Sequence, residues 1–186
     1  LVENDRNGQR MEVIGAIREV LCAPECPPAV LTRLCQPETK IVSLTVTEKG
    51  YCHDPATGRL NHKHPQVKAD LKNTNQPCSA LGYLCEALYR RWKQDLGPFS
   101  IVSCDNLPSN GKVLRGLLIE FAKLRDAELA DWIEDRVTCP RSMVDRIVPA
   151  TTEKDRQNVQ KQLGFEDQGV VVTEGFSQWV LEDNFC

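Results

Sequence analysis

The sequence lacks long apolar runs and strong charge of either sign. No window approaches the roughly 18 apolar residues of a membrane span, and the opening LVENDRNGQR lacks the apolar core of a secretory signal. The formal net charge is −3 over 186 residues. Such a balance gives no electrostatic reason to expect nucleic acid or an anionic membrane as partner. These absences predict a cytoplasmic protein that binds neither.

The sequence also lacks a C-x-x-C pair, although it has nine cysteines. Their odd number and scattered spacing argue against a disulfide framework and against a zinc site built from cysteine pairs. Cys85 falls on the apolar face of a helical pattern, and Cys104 ends an apolar run, as small buried hydrophobic residues do. We expect reduced thiols.

Several motifs that carry chemistry are missing as well. The sequence contains no G-x-G-x-x-G, so the usual phosphate cradle of a dinucleotide site is not among these residues. It contains no P-loop, G-x-S-x-G or H-E-x-x-H either.

What is present begins with two apolar strands on either side of a helix. Ile41–Val46 is apolar and β-branched with almost no alternation, which is typical of a strand covered on both faces. Ser79–Trp92 has apolar residues at three- and four-residue steps behind a serine N-cap, and Phe99–Ser103 is a second buried strand. A strand, a helix and a strand in this order predict a parallel β-α-β crossover.

The flanking patterns add mostly helices. Asn7-Gly8 predicts a hairpin, followed by a β-prone run through Met11, Val13 and Ile17. Helical patterns cover Pro27–Leu34, Ser109–Leu124, Glu128–Asp135 and Thr151–Gly164, the last capped by Thr151 or Thr152. The fold class is α/β, a partial doubly wound parallel sheet with flanking helices. A boundary near Pro149 divides residues 1–149 from residues 150–186, which begin with a polar helical pattern.

Basic residues are densest at the end of the central helix. Arg90, Arg91 and Lys93 suit the negative end of the helix dipole, and we expect them to form a solvated last turn.

Polar residues follow both buried strands at once, in Thr45–Cys52 and in Ser103–Gly111. Such residues project from the carboxyl edge of the sheet, where open α/β sheets bind ligands. Asp105 and Asn106 could hydrogen-bond a ligand, or with Ser109 they could cap the next helix. Asp145 and Arg146 could contact a ligand or form a structural ion pair. Glu48, directly after the first strand, could likewise contact a ligand or have a structural role.

The crossover from Val46 to Ser79 shows no helical pattern and holds all three histidines. A loop of this length is usually functional or disordered. Cys52, His62 and His64 could bind a metal, but no second ligand pair follows at zinc-site spacing, so we favour no metal site and ordinary loop histidines.

Seven segments together resemble the mannitol dehydrogenase family, which includes mannitol 2-dehydrogenase and fructuronate reductase. In order, they are IVSLTVTEKGYC, DPATGRLN, SALGYLCEALYRRW, SCDNLPSNG, ELADWIED, MVDRIVPAT and QWVLEDNF. The resemblance implies that residues 1–149 are the C-terminal part of a Rossmann-like nucleotide-binding domain and that residues 150–186 begin the connection to a C-terminal catalytic domain. It also implies NAD or NADP as cofactor and a polyol or sugar acid as substrate. TEKGYC with DPATG is most similar to the fructuronate reductase branch.

The resemblance also implies roles for particular residues. Asn106 would belong to an oxyanion hole that steadies the alkoxide-like substrate oxygen during hydride transfer. Asp145 would lie beside the substrate, and Glu48 would line the cleft near the proton path. Thr45, Val46 and Thr47 would pass along the cofactor. Proton transfer would fall to a lysine of a zinc-independent Lys-x4-Asn-x2-His motif.

In that family the glycine-rich fingerprint precedes the point where this sequence begins, and the lysine motif follows the point where it stops. The expectation is an oxidoreductase whose middle part is this sequence, inactive as an isolated chain. Two alternatives stay open: a truncated Rossmann-like domain without activity, and a small binding module that uses the His53–His64 loop.

Overall fold

The computed structural model describes residues 1–5 and 8–186, in seven helices and seven strands. The helices are α1 Pro27–Leu34, α2 Thr47–Gly50, α3 Pro65–Lys72, α4 Ala80–Lys93, α5 Asn110–Arg125, α6 Ala127–Arg136 and α7 Glu153–Leu163. The strands are β1 Val2–Asp5, β2 Gly8–Met11, β3 Ile41–Leu44, β4 Ser100–Ser103, β5 Ser142–Asp145, β6 Val172–Glu174 and β7 Gln178–Leu181. None of the helices in the described part of the chain is both long and apolar enough to cross a membrane.

Contacts divide the chain into two compact units, and the larger comprises Leu21–Met143 and Val180–Cys186. Its centre is the predicted crossover: β3 and β4 pair in parallel, with Ile41 opposite Ser100 and Leu44 opposite Ser103. The chain passes from one strand to the other through α4, as predicted. The α/β class and the parallel pairing are thus confirmed.

The first strand is shorter and more exposed than its sequence predicts. β3 ends at Leu44 instead of Val46, and Ile41 is 55% exposed. Every residue of β4 is buried. The expectation that both faces of Ile41–Val46 are covered is therefore wrong for the described residues, because only the face that carries Leu44 packs into the core.

Helix α4 begins and is capped as its sequence predicts. The Ser79 hydroxyl accepts a hydrogen bond from the Gly82 amide at 3.0 Å, and this bond satisfies one of the free amides of the first turn. Leu81, Leu84, Cys85 and Leu88 are buried in one hydrophobic cluster with α5 and α6. The apolar period of the helix therefore does define the core, and Cys85 is part of it.

The last turn of α4 is not wholly solvated. Arg91 is only 1% exposed, whereas Lys93 is exposed. The expectation for this basic turn is wrong at Arg91, because the backbone around the helix end supplies three carbonyl acceptors to its guanidinium.

The crossover is more ordered than its sequence indicates, since it contains α2 and α3. Asp70 of α3 is 1% exposed and accepts hydrogen bonds from the Cys78 amide at 2.7 Å and the Ser79 amide at 3.2 Å. Its carboxylate also lies so close to Gly82 that a Cβ there would stand 2.1 Å from Oδ2. This carboxylate fixes the end of the crossover to the start of α4, a contact that a reading of 46–79 as loop misses.

The smaller unit comprises Leu1–Val20 and Val144–Trp179. β1 pairs antiparallel with β2, as the hairpin signal predicts, although Asn7 lies outside the described residues. β1 also pairs in parallel with β6. The extension of the β-prone run to Val13 and Ile17 is wrong: β2 ends at Met11, and those two side chains are 66% and 71% exposed.

Helix α7 confirms the second of its two candidate caps. The Thr152 hydroxyl accepts from the Asp155 amide, and the Asp155 carboxylate accepts from the Thr152 amide, which together form a capping box. The division into residues 1–149 and 150–186 stays a prediction.

Candidate functional site

The candidate site is the carboxyl edge of the β3–β4 pair. Because the two strands are parallel, the segment after Leu44 and the segment after Ser103 leave the sheet at the same edge. Thr45 and Thr47 are exposed there and Val46 is half-buried. This arrangement brings the predicted cofactor residues beside the segment that holds Asn106.

Asp105 joins these two segments. Its Oδ2 accepts a hydrogen bond from the Val46 amide at 3.1 Å, and its Oδ1 accepts one from the Thr47 amide at 2.9 Å. These amides belong to the first turn of α2, where an anionic side chain is favoured by the helix dipole and by free N–H groups. Thr47 has a φ of 62°, a left-handed conformation that a threonine adopts at a cost. The carboxylate thus holds the β3–α2 turn in its observed shape.

Tyr51 forms a hydrogen-bonded cluster with Asp105 and Ser103. Its hydroxyl donates to Asp105 Oδ2 at 2.6 Å and lies 2.5 Å from the Ser103 hydroxyl. Burial, followed by the hydrogen bond to the Asp105 carboxylate, raises the pKa of Tyr51 well above its usual range. The phenol therefore stays protonated and keeps donating to Asp105.

Asn106 lies at the tip of the segment after β4. It is exposed, and its carboxamide makes no hydrogen bond with the part of the chain that the structure describes. Two of its neighbours do not cap the next helix: the Ser109 side chain makes no cap hydrogen bond to α5, and the Asp105 carboxylate binds the first turn of α2 instead. The Asn106 amide group is consequently available to a ligand.

Asn110 is a buried residue whose side chain joins several backbone segments, although the sequence places it only within the predicted Ser109–Leu124 helix. Its Nδ2 donates to the carbonyls of Ser103 and Ser142, both at 2.9 Å. Its Oδ1 accepts from the amides of Gly111 at 2.8 Å and Ser142 at 3.0 Å. The adjoining Gly111 is needed for this close approach, since a Cβ would stand 2.3 Å from the Cys139 carbonyl oxygen. The available signal was an Asn-Gly pair in the polar segment that leads from a buried strand into the next helix.

Glu48 lies on α2, one residue beyond the Asp105-bound turn. Its side chain is 63% exposed, and its Oε1 is 3.8 Å from His53 Nε2. His53 is only 10% exposed at its side chain, and its buried Nδ1 has no hydrogen-bond partner among the described residues. Glu48 thus presents an exposed carboxylate close to a largely buried imidazole.

Asp145 belongs to the smaller compact unit, whereas the residues of this sheet edge belong to the larger one. It is exposed at the end of β5, and the described residues show no ion pair between Asp145 and Arg146, the structural alternative considered from the sequence. Arg146 instead contacts Glu3 at 2.5 Å and donates to the Glu174 carbonyl. A role for Asp145 beside the substrate stays a prediction.

The histidines of the crossover do not converge. His53 forms an isolated bridge with Leu60, His62 is exposed, and His64 is the residue before α3. Within residues 1–5 and 8–186, no three His, Cys, Asp or Glu side chains are grouped as a metal site would require.

A parallel β-α-β crossover with polar turns at its carboxyl edge defines an α/β protein of the doubly wound, Rossmann type. The family model described as the mannitol dehydrogenase Rossmann domain matches residues 1–186. The chain belongs to the mannitol dehydrogenase family.

Its relatives carry names consistent with that family. It is 47% identical to mannitol dehydrogenase 2 of Saccharomyces cerevisiae over 186 residues, which are all of this chain and 37% of that protein. It is 43% identical to mannitol 2-dehydrogenase of Aspergillus fumigatus, again covering 37% of the relative. The chain thus spans little more than a third of the curated relatives that it matches.

Solved structures agree with the fold. The substrate-free D-sorbitol dehydrogenase is 44% identical, with a TM-score of 0.94 over 99% of this chain and 38% of that one. The ternary complex of Pseudomonas fluorescens mannitol 2-dehydrogenase with NAD and D-mannitol is 42% identical, with a TM-score of 0.92 and the same coverage.

Proposed function

We propose that the chain is part of an NAD- or NADP-dependent oxidoreductase that transfers hydride between a nicotinamide and a polyol or sugar acid. The substrate pair is of the mannitol/fructose or the mannonate/fructuronate type, and the protein acts in the cytoplasm. The carrying observation is the exposed Asn106 at the carboxyl edge of a parallel strand pair, directly after Asp105, whose carboxylate binds the Val46 and Thr47 amides. The names of the relatives and the NAD and D-mannitol bound in one structural neighbour support the proposal.

The described residues fit one portion of a dinucleotide site. Thr45 and Thr47 are exposed where open α/β sheets bind ligands, and Asn106 offers a carboxamide that no other described group occupies. With Val46, these threonines would line the cofactor. The sequence holds no glycine-rich phosphate cradle, so these residues would supply only a fraction of the contacts. The nicotinamide, when bound, supplies the hydride acceptor or donor.

Three residues of this chain would act on the substrate. Asn106 would donate an N–H to the oxygen that gains negative charge as the hydride moves, so its contribution is largest in the transition state. Glu48 would line the cleft, and its exposed carboxylate near His53 suits a place on a proton path. Asp145 would lie beside the substrate.

Replacing Asn106 by alanine tests the proposal. In the full-length protein we expect Asn106→Ala to lower kcat about 100- to 1,000-fold, because one oxyanion donor is lost, while cofactor affinity changes little. Steady-state kinetics with mannitol and mannonate, together with cofactor titration, separate the two effects. The exposed Asn184→Ala is the matched control and should keep wild-type rates. An unchanged kcat in Asn106→Ala would remove Asn106 from the reaction.

The alternative of a truncated, inactive domain concerns the 186-residue chain alone. We expect this chain to show no turnover, because the phosphate cradle is absent from its sequence. Following NADH formation from mannitol or mannonate with the purified chain checks this. Sustained turnover would show that these residues suffice for the reaction.

A further inference from the structure

Asn106 is the central residue of a three-residue turn that begins at Asp105 and ends at Leu107. The Leu107 amide donates to the Asp105 carbonyl at 2.8 Å and closes this turn around Asn106. The same carbonyl accepts a second hydrogen bond from Asn110 Nδ2 at 3.2 Å. The backbone position of Asn106 is therefore set by where Asp105 lies.

The side chain of Asp105 in turn fixes the position of Asp105 relative to the segment that follows β3. It accepts three hydrogen bonds from the other segment, from the amides of Val46 and Thr47 and from the Tyr51 hydroxyl. Hydrogen bonds to an ionised acceptor are shorter and stronger than neutral ones. A carboxylate with three donors on one neighbouring turn has little freedom to move, and neither does the turn that it holds.

From this geometry we infer that Asp105 is a positioning residue. It locks the Asn106 turn to the Thr45–Thr47 segment, so that the carboxamide and the residues beside it keep a fixed separation. The inference rests on the proposed function, in which Asn106 contacts the reacting oxygen. Asp105 itself acts only through its neighbours, since its carboxylate oxygens are engaged by groups of the chain.

An asparagine at this position has nearly the same shape but cannot accept at both ends. In one orientation of the asparagine amide, its NH2 group faces the Thr47 N–H, which is also a donor. In the other orientation, the NH2 group faces the Val46 N–H and the Tyr51 hydroxyl. Asp105→Asn should therefore loosen both turns. Misplacement by a fraction of an ångström to one ångström can cost up to about 100-fold in rate, so we expect kcat of the full-length protein to fall about 10- to 100-fold.

A double-mutant cycle on kcat distinguishes positioning from simple loss of stability. If Asp105 acts through Asn106, then Asp105→Asn should lower kcat by less than about twofold when Asn106 is already alanine. A purely structural role would lower kcat by the same factor in both backgrounds, and that result would overturn the inference. Asp54→Asn is the matched control. Among the described residues the Asp54 side chain accepts a hydrogen bond from the Ala56 amide alone, and an asparagine also accepts that bond, so kcat should stay at the wild-type value.

Hydrogen–deuterium exchange supplies the second readout. We expect Asp105→Asn to raise exchange in peptides covering residues 44–52 and 104–109, with the rest of the protein unchanged. If that variant does not fold, Tyr51→Phe removes one of the three donors, and it should raise exchange in residues 44–52 and lower kcat severalfold. Wild-type kcat and exchange in Tyr51→Phe would then overturn the inference.

The outcomes also separate this inference from the proposed function. If Asn106→Ala lowers kcat but Asp105→Asn does not, the positioning role alone fails. If Asn106→Ala leaves kcat unchanged, the proposed role of Asn106 fails, and the catalytic part of the inference fails with it.

Discussion

Arg91 is buried in the last turn of α4, although its neighbour Lys93 reaches solvent. Its guanidinium donates to the carbonyls of Gly97 at 2.6 Å, Leu34 at 3.1 Å and Gln36 at 2.8 Å. It also lies over the Phe99 ring, 5.4 Å from the centroid. Burial lowers the pKa of Arg91 from its high usual value, and the carbonyl dipoles take the place of water around the charge. One side chain thereby joins the end of α1 to the segment that leads into β4.

We expect Arg91→Met to destabilise the protein by about 2–4 kcal/mol. Methionine fills much of the volume but leaves three carbonyls without their donor in a part-buried place. Denaturant unfolding of the full-length protein measures the effect. The exposed Lys93→Met has the same loss of charge and should cost less than about 1 kcal/mol. Equal losses in the two variants would show that charge at the helix end, rather than the carbonyl contacts, is what matters.

Asp105 illustrates why part of the candidate site escapes a reading of the sequence. Its position after a buried strand predicts a polar group at the sheet edge, and the structure places it there. Its partners Val46 and Thr47 are nearly sixty positions away along the chain. A local pattern can indicate a cap for the following helix but cannot reveal that the carboxylate serves a different one.

At the scale of elements, the predictable parts are those with a long apolar period. Helix α4 was predicted as Ser79–Trp92 and is observed as Ala80–Lys93, because eight of its fourteen residues are buried and its cap is local. β4 was predictable for the same reason, since all of its residues are buried. Strong periodicity and a local cap suffice for such elements.

The short polar elements were not predictable in this way. Only Val67 and Asp70 of α3 are buried, so the helix shows little periodicity. Helix α2 has four residues and buries none of them. The amide of its first residue, Thr47, donates a hydrogen bond to the Asp105 carboxylate. Elements held by distant hydrogen bonds leave no periodic trace in their own sequence.

At the scale of the whole molecule, the β3–β4 pair leaves one edge of β3 open. In the described part of the chain, β4 is the only strand that pairs with β3. The other side of β3 therefore lacks a strand partner among the described residues, and Ile41 on this strand is 55% exposed. Open, apolar strand edges tend to recruit a strand from another chain.

We accordingly expect the isolated 186-residue chain to self-associate by sheet extension at β3. The driving contacts are the unpaired backbone groups of this strand and the exposed apolar surface at Ile41. A charged side chain at the edge opposes such pairing, so Ile41→Lys should shift the chain toward the monomer. Val148→Lys provides a matched control, since Val148 is also 55% exposed but lies outside every strand. Light scattering across a concentration series measures the mass of each variant. If the wild-type chain stays monomeric at all concentrations, the β3 edge is not a site of association. The same conclusion follows if Ile41→Lys and Val148→Lys change the measured mass equally.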